Sequence, residues 1–277
     1  MERAAAFAPG NVSCIFKIVP HEDPARMHSL GMGFTVRDGV TATACPDAAS
    51  VVSYNGRPVE FPTVAALVAR LAEVPLRLEL DSSLPLSSGF GLSGAATLAT
   101  AYAVDALLDL GRDPEDLAMA AHVAEVENLT GLGDVCAQFH GGCMVKLREG
   151  HPLVAEPLGV PEQPVFYRYF GPIHTREVLS NAEQRARINR AADQSLDQIQ
   201  ALRRGDPVDF DRCIRVSRDF AVESGLLQDQ RVREVIERVE KEGGAASMIM
   251  LGNAVFSTRP FAGALQTALC TRPAEVL

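Results

Sequence analysis

Residues 85–97 read PLSSGFGLSGAAT, and the chain then continues to Val104 without a charged side chain. This stretch constrains the fold more than any other. Its spacing predicts a helix over 93–110 that is buried on most of its faces, so other elements must wrap around it. It is too short to span a bilayer. The preceding glycines, Gly89, Gly91 and Gly94, spell G-x-G-x-x-G. Small residues there let backbone N–H groups close around phosphate at the positive end of a helix. A turn that only lets a helix pack tightly would use the same glycines.

A dinucleotide-binding turn needs a β-α-β unit, with an acid after the second strand. Here the buried helix is followed by another helix start, Asp113-Pro114-Glu115-Asp116, with a cap, a proline at the first position and acids at the positive end of the dipole. Asp109 has the right offset from Gly89 but falls inside the first helical pattern. A Walker A loop needs lysine and Ser/Thr where this chain has Ala95 and Ala96. These observations disfavour an NAD-dependent oxidoreductase and leave a phosphate site of another kind.

A net charge of −9 disfavours nucleic acid and acidic membrane surfaces, because no basic field offsets phosphate repulsion. An anionic substrate therefore needs a local site. Lys17, Lys146 and Lys241 are the lysines, so arginine forks are the expected anion contacts. Six scattered cysteines without a C-x-x-C pair read as reduced, mostly buried thiols. No signal-like segment opens the sequence, and the expected compartment is the cytoplasm.

Before the buried helix the pattern is β-rich, with strands expected at 5–8, 12–19, 33–36, 40–45, 50–54 and 76–80. Asn55-Gly56 predicts a tight hairpin with 59–61 as its second arm, and 64–71 is helical. After it come helices at 113–128 and from Asp134 to Gly141-Gly142, and a strand over 143–147. Prolines and glycines within 149–163 suggest a domain boundary. Beyond it the pattern predicts a strand over 165–170, helices over 181–204, 208–223 and 229–242, strands at 247–250 and 254–257, and a short helix from Pro260.

The order Pro85, Gly89, Gly91, Ser93, Ala95 resembles the phosphate loop of the superfamily of galactokinase, homoserine kinase, mevalonate kinase and phosphomevalonate kinase (GHMP), roughly P-x-x-x-G-L-G-S-S-A. Phe90, Leu92 and Gly94 replace its leucine, first serine and alanine. Ala8-Pro9-Gly10-Asn11-Val12 resembles the N-terminal motif without its G-E-H continuation. Residues 243–253 occupy the place of the third, glycine-rich motif with fewer glycines. Asp23-Pro24 with 29–33, SSGFGLSGAA, TGLGDVCAQFHGG, GPIHTREVL and MLGNAVF together are similar to the archaeal pantoate kinases of coenzyme A biosynthesis.

The resemblance implies an α+β, two-domain GHMP-kinase-like fold. Residues 1–155 would form an ATP-binding domain, a mixed β region with buried helices, and 156–277 a ferredoxin-like α+β domain. It implies transfer of the ATP γ-phosphoryl group to the 4-hydroxyl of pantoate. Other small hydroxy acids or alcohols are alternative acceptors, and a non-catalytic nucleotide-binding relative is the rival class.

The ATP phosphates would lie on Pro85, Ser87, Ser88, Gly89, Gly91, Leu92, Ser93 and Gly94. Mg²⁺ would bind Ser93 and Glu125, with Glu127 as the neighbouring alternative for the carboxylate. Asp134 would accept the hydroxyl proton, although a helix cap explains Asp134, and Ser93, as well. Arg26 is the first choice for the pantoate carboxylate, with His28, Ser29 and Asn11 beside the substrate. Leu30 stands where the resemblance calls for a basic residue. His21 and His28 lack metal-ligand spacing, and His140 reads as a helix-end residue. The oligomeric state, a homodimer included, is left open.

Overall fold

The computed structural model describes residues 2–172, 181–205 and 207–277. The GPIHTREVL segment therefore lies mostly outside the described residues. The chain begins with two long antiparallel strands, β1 (Ala4–Val19) and β2 (His28–Pro46), paired from Ala4↔Ala44 to Val19↔His28. Each was expected as two shorter strands. The ladder continues because irregularities at Pro9/Gly10 and Ser13/Ile15 absorb the proline, which has no N–H to donate.

β3 (Val51–Tyr54) and the two-residue β4 (Arg57–Pro58) form the hairpin at Asn55-Gly56. Both turn residues have positive φ, 48° and 74°, as a two-residue hairpin of this type requires. Its second arm stops at Pro58, because helix α1 (Pro62–Leu71) starts four residues later. β3 instead gains a parallel partner in β5 (Leu76–Asp81).

α2 (Leu92–Leu108) lies across β1 and β2 and packs against α1 and α3 (Pro114–Glu127). Alanines and Leu98 are fully buried along it, which explains the missing charges. Asp113 caps α3, accepting from the Glu115 N–H at 2.9 Å. α4 (Asp134–His140) and β6 (Cys143–Lys146) follow, and β6 pairs with β2 and with β7 (Glu156–Pro157).

The later half supplies β8 (Gln163–Gly171), α5 (Ala182–Leu202), α6 (Phe210–Glu223), α7 (Gln230–Lys241), β9 (Ala246–Met248), β10 (Asn253–Ser257), β11 (Leu265–Leu269) and β12 (Glu275–Val276). Asn181, Asp209 and Asp229 cap the three helices through their side chains. The strand order β11-β8-β10-β9 is that of a ferredoxin-like sheet, with three helices as its first crossover.

The second crossover differs from expectation, because no helix forms after Pro260. β10 pairs with β8 up to Ser257↔Phe166, and β11 takes up the other side of β8 from Leu265↔Tyr167. The strands are staggered along β8, so a short irregular link suffices. β11 also meets β2 at Leu269↔Val36, which makes the sheet continuous across both halves. Phe34 on β2 packs edge-on against Phe210 and Phe256, joining the halves in one core.

Candidate active site

The glycine turn and the start of α2 form one wall of a 540 Å³ cavity. Its lining includes Leu86–Ser93, Ser13, Ser29, Thr63, the 128–134 turn and Met250-Leu251. Gly91 N-caps α2 in the left-handed conformation, φ 58° and ψ 29°. A Cβ there would lie 2.7 Å from Asp134 Oδ1, so the position requires glycine for space as well as for backbone angle.

The third motif braces this turn from the C-terminal half. A Cβ on Gly252 would fall 2.1 Å from the Ser88 carbonyl oxygen, and one on Gly89 2.9 Å from the Met250 carbonyl oxygen. The Ser88 hydroxyl donates to the Pro85 carbonyl and closes the loop on itself. Pro85 therefore shapes the loop without lining the cavity. Leu92 and Ser93 are the first helical residues, and their unpaired N–H groups lie at the positive end of α2.

Ser93 Oγ donates to Glu125 Oε1 at 2.6 Å, and Thr97 and Thr63 extend the hydroxyl cluster around that carboxylate. Glu125 is buried, and its Oε2 has no partner. Burial pushes its acid up to about 7, against the hydrogen bond from Ser93, and the Asp134 charge adds to the rise. Glu127 points elsewhere and pairs with Arg70 at the surface. Asp134 Oδ2 and Glu125 Oε2 both face Gly131, within 3.0 and 3.1 Å of the point a Cβ would occupy. An unpartnered carboxylate oxygen, a serine hydroxyl and a second acid are hard donors that suit Mg²⁺, which takes one or two carboxylates and completes its shell with phosphate and water.

Asp134 opens α4 and is held from β1. Asn11 Nδ2 donates to its Oδ1 at 2.8 Å and Ser13 Oγ at 3.4 Å. Burial raises its acid and these two bonds partly offset the rise. Asn11 also binds the loop directly, its N–H donating to the Phe90 carbonyl at 2.8 Å.

Beyond Ser13, Phe16, Ser29 and Gly133 lies a second cavity of 60 Å³, which shares those four residues with the first. Ile15, Met32 and Met144 give it apolar walls, and Lys146 supplies a cation. Lys146 is buried at the end of β6, donating to the His151 carbonyl at 2.5 Å and the Pro152 carbonyl at 3.0 Å. Burial lowers its pKa.

His28 and His122 stand nearby. His28 Nδ1 meets the Arg26 carbonyl and His122 Nε2 the Met27 carbonyl, and burial lowers both, His122 to about 4. Arg26 itself is exposed and lines neither cavity. Sequence reasoning missed Lys146, His122, Thr63 and Thr97. The available signals were a lysine ending the otherwise apolar strand CMVK, and Thr97 one helical turn after Ser93. His140 ends α4 with its Nε2 on the Leu153 carbonyl.

Residues 60–142 match the GHMP kinases N terminal domain. A pantoate kinase of Methanospirillum hungatei is 32% identical over 271 residues, covering 93% of this chain and 88% of that protein. The chain belongs to the pantoate kinase family. A second family member, from Methanocaldococcus jannaschii, is 29% identical over 90% of each chain. A solved structure described as a phosphotransferase related to the CoA biosynthesis pathway superposes with a TM-score of 0.83 at 25% identity, covering 99% of this chain and 98% of that one. Homoserine kinase from Cytophaga hutchinsonii, TM-score 0.69 at 18% identity, shares the fold. This pantoate kinase family member is thus an α+β phosphotransferase that acts on an alcohol group, with a GHMP kinase N terminal domain. Among its described residues no helix is long and apolar enough to cross a membrane.

Proposed function

We infer that this protein transfers the γ-phosphoryl group of ATP to the 4-hydroxyl of pantoate, giving 4-phosphopantoate and ADP. The observation that carries this reading is the junction of the two cavities. Gly133 and Ser13 belong to both, and Asp134, half-buried and hydrogen-bonded to Ser13, faces that junction. In this reading ATP occupies the larger cavity with its phosphates on the 87–94 turn. Pantoate occupies the smaller one, its carboxylate on Lys146 and its methyl groups against Met32, Met144 and Ile15. An ammonium has three donors, and two serve the carbonyls of His151 and Pro152, which leaves one for the substrate. Lys146 therefore replaces Arg26 as the preferred carboxylate contact.

Asp134 accepts the 4-hydroxyl proton as that oxygen bonds to the γ-phosphorus and the bond to the β-phosphate oxygen breaks. The N–H groups at the start of α2 stabilise the phosphoryl oxygens throughout. Ser93 and Glu125 would hold Mg²⁺, which when bound neutralises phosphate charge. Asn11 and Ser13 keep the Asp134 carboxylate turned toward the junction. The reaction needs only cytoplasmic solutes, and the free cysteines suit that compartment.

Parallel assay of ADP formation with pantoate, pantothenate, mevalonate, homoserine and galactose tests the reading. Pantoate should be phosphorylated far faster than the others. Pantothenate should fail because its amide leaves the buried ammonium uncompensated. Inert pantoate beside a reactive competitor overturns the assignment.

A further inference from the structure

Gln138 lies one helical turn after Asp134, so both side chains leave the same face of α4 and meet the start of α2. Gln138 is fully buried and lines neither cavity. Its Nε2 donates to the Gly91 carbonyl at 2.8 Å, while the Ala95 N–H donates to the same oxygen at 3.0 Å. Only the N–H end of an amide can donate to a carbonyl, so this contact fixes the orientation of the side chain. Oε1 is left without a partner, 2.8 Å from where a Cβ on Gly94 would sit. The Gln138 carbonyl also accepts the Ala274 N–H at 3.0 Å, tying this point of α4 to the C-terminal segment.

Gly91 needs such a support. It caps α2 in the left-handed region with no side chain to hold the cap, and glycine is the most conformationally free residue. The peptide from Gly91 to Leu92 is planar, so holding its carbonyl fixes the direction of the Leu92 N–H at the mouth of the helix. We propose that Gln138 is a positioning residue for phosphoryl transfer. It locks the 91–92 peptide in its anion-binding orientation and keeps the turn in register with Asp134, while touching neither substrate. The catalytic half of this proposal rests on the phosphotransferase reading above. The nucleotide-binding half does not.

The test uses the full chain with Gln138→Met, which keeps shape but has no donor, and Gln138→Glu, whose carboxyl donates only when protonated. ATP affinity is measured by direct titration without acceptor, and kcat and both KM values are measured with pantoate. Gln138→Met should weaken ATP binding by about tenfold, because the Gly91 carbonyl then keeps only the Ala95 N–H and the 91–92 peptide is free to turn, and should lower kcat, with the pantoate KM unchanged.

For Gln138→Glu, ATP affinity relative to wild type should recover as the pH is lowered, while the same ratio for Gln138→Met stays flat. Asp134 on α4 and Glu125 on α3 titrate in all three proteins and so largely cancel in these ratios. Wild-type ATP affinity and kcat in Gln138→Met overturn the proposal. Should that variant unfold, a pH-independent ratio for Gln138→Glu overturns it instead. A wild type that binds ATP but leaves pantoate untouched would sink the functional reading alone, because the affinity comparison decides the role of Gln138.

Discussion

Replacing Glu125 with Gln should stabilise the ligand-free protein at neutral pH while damaging the site. Burial moves this carboxyl from an ordinary 4.5 to about 7. Below 4.5 the acid is protonated in both folded and unfolded chains, and its titration costs nothing. Between 4.5 and 7 the unfolded chain ionises first, so stability falls as pH rises, and above 7 the loss is complete. At 1.36 kcal/mol for each pH interval of one, the loss is about 3 kcal/mol. Glutamine keeps the acceptor for Ser93 and does not ionise. The stability difference between Glu125→Gln and wild type, measured by thermal and urea denaturation without nucleotide or divalent cation, should therefore grow by about 2–3 kcal/mol between pH 5 and pH 8. For a chain of this size that is about 5–10 °C in Tm. The Asp134 charge is one cause of the Glu125 shift, so relief of that repulsion is already contained in this figure. A pH-independent difference, or a wild type more stable than the variant at pH 8, would refute the claim that Glu125 is an uncompensated buried acid.

Asp134→Asn should hold or raise Tm, because it removes a partly desolvated charge while keeping an acceptor for Asn11, and should lower kcat by about 100-fold or more; near-normal turnover would make Asp134 structural. In wild type the kcat/KM profile should lose activity on the acid side at a pH above the usual aspartate range, since burial raises that acid; an acid limb at an ordinary aspartate value would exclude Asp134 as its source. Lys146→Met should raise the KM for pantoate at least tenfold with the KM for ATP little changed, and a larger effect from Arg26→Met would move the carboxylate contact to the exposed turn. Gly91→Val should abolish ATP binding, read by titration, through the clash with Asp134 and the positive φ; retained affinity would remove the turn from the site.

Local chemistry made much of this site legible in the sequence. The caps at Asp113, Asn181, Asp209 and Asp229 act on their own backbones, and Asn55-Gly56 carries its turn angles with it. The lack of charge before Asp105 signalled burial on most faces of the helix, and a carboxylate in the alanine-rich run at Glu125 needed a partner, which Ser93 supplies. What escaped depends on distant contacts. β1 passes through Pro9 only because β2 can bulge opposite it. Pro260 begins a link rather than a helix because the register of β10 and β11 along β8 leaves so little distance to cross. Arg26 had the right charge in the right segment, yet the chain leaves it exposed while the carbonyls of His151 and Pro152 hold Lys146 inside.

The costs stored in this molecule converge on one place. Five non-glycine residues among those described have positive φ, and three of them, Ser87, Leu129 and Leu251, line the larger cavity. Such conformations cost of order 1 kcal/mol or more each and persist only where surrounding structure enforces them. Glu125 adds a buried acid and Asp134 a half-buried one, neither paired with a cation, and Glu125 Oε2 lacks any partner. Packing alone would favour apolar residues at both positions. The sheet and the buried helix offset these terms from elsewhere, since β1, β2 and α2 together bury one continuous apolar core. A ligand that recovers part of the cost binds the folded chain only, so its free energy appears directly as added stability. Two of these costs, the open N–H groups at the start of α2 and the unpartnered Glu125 oxygen, are those that an anion and a cation bound there would relieve.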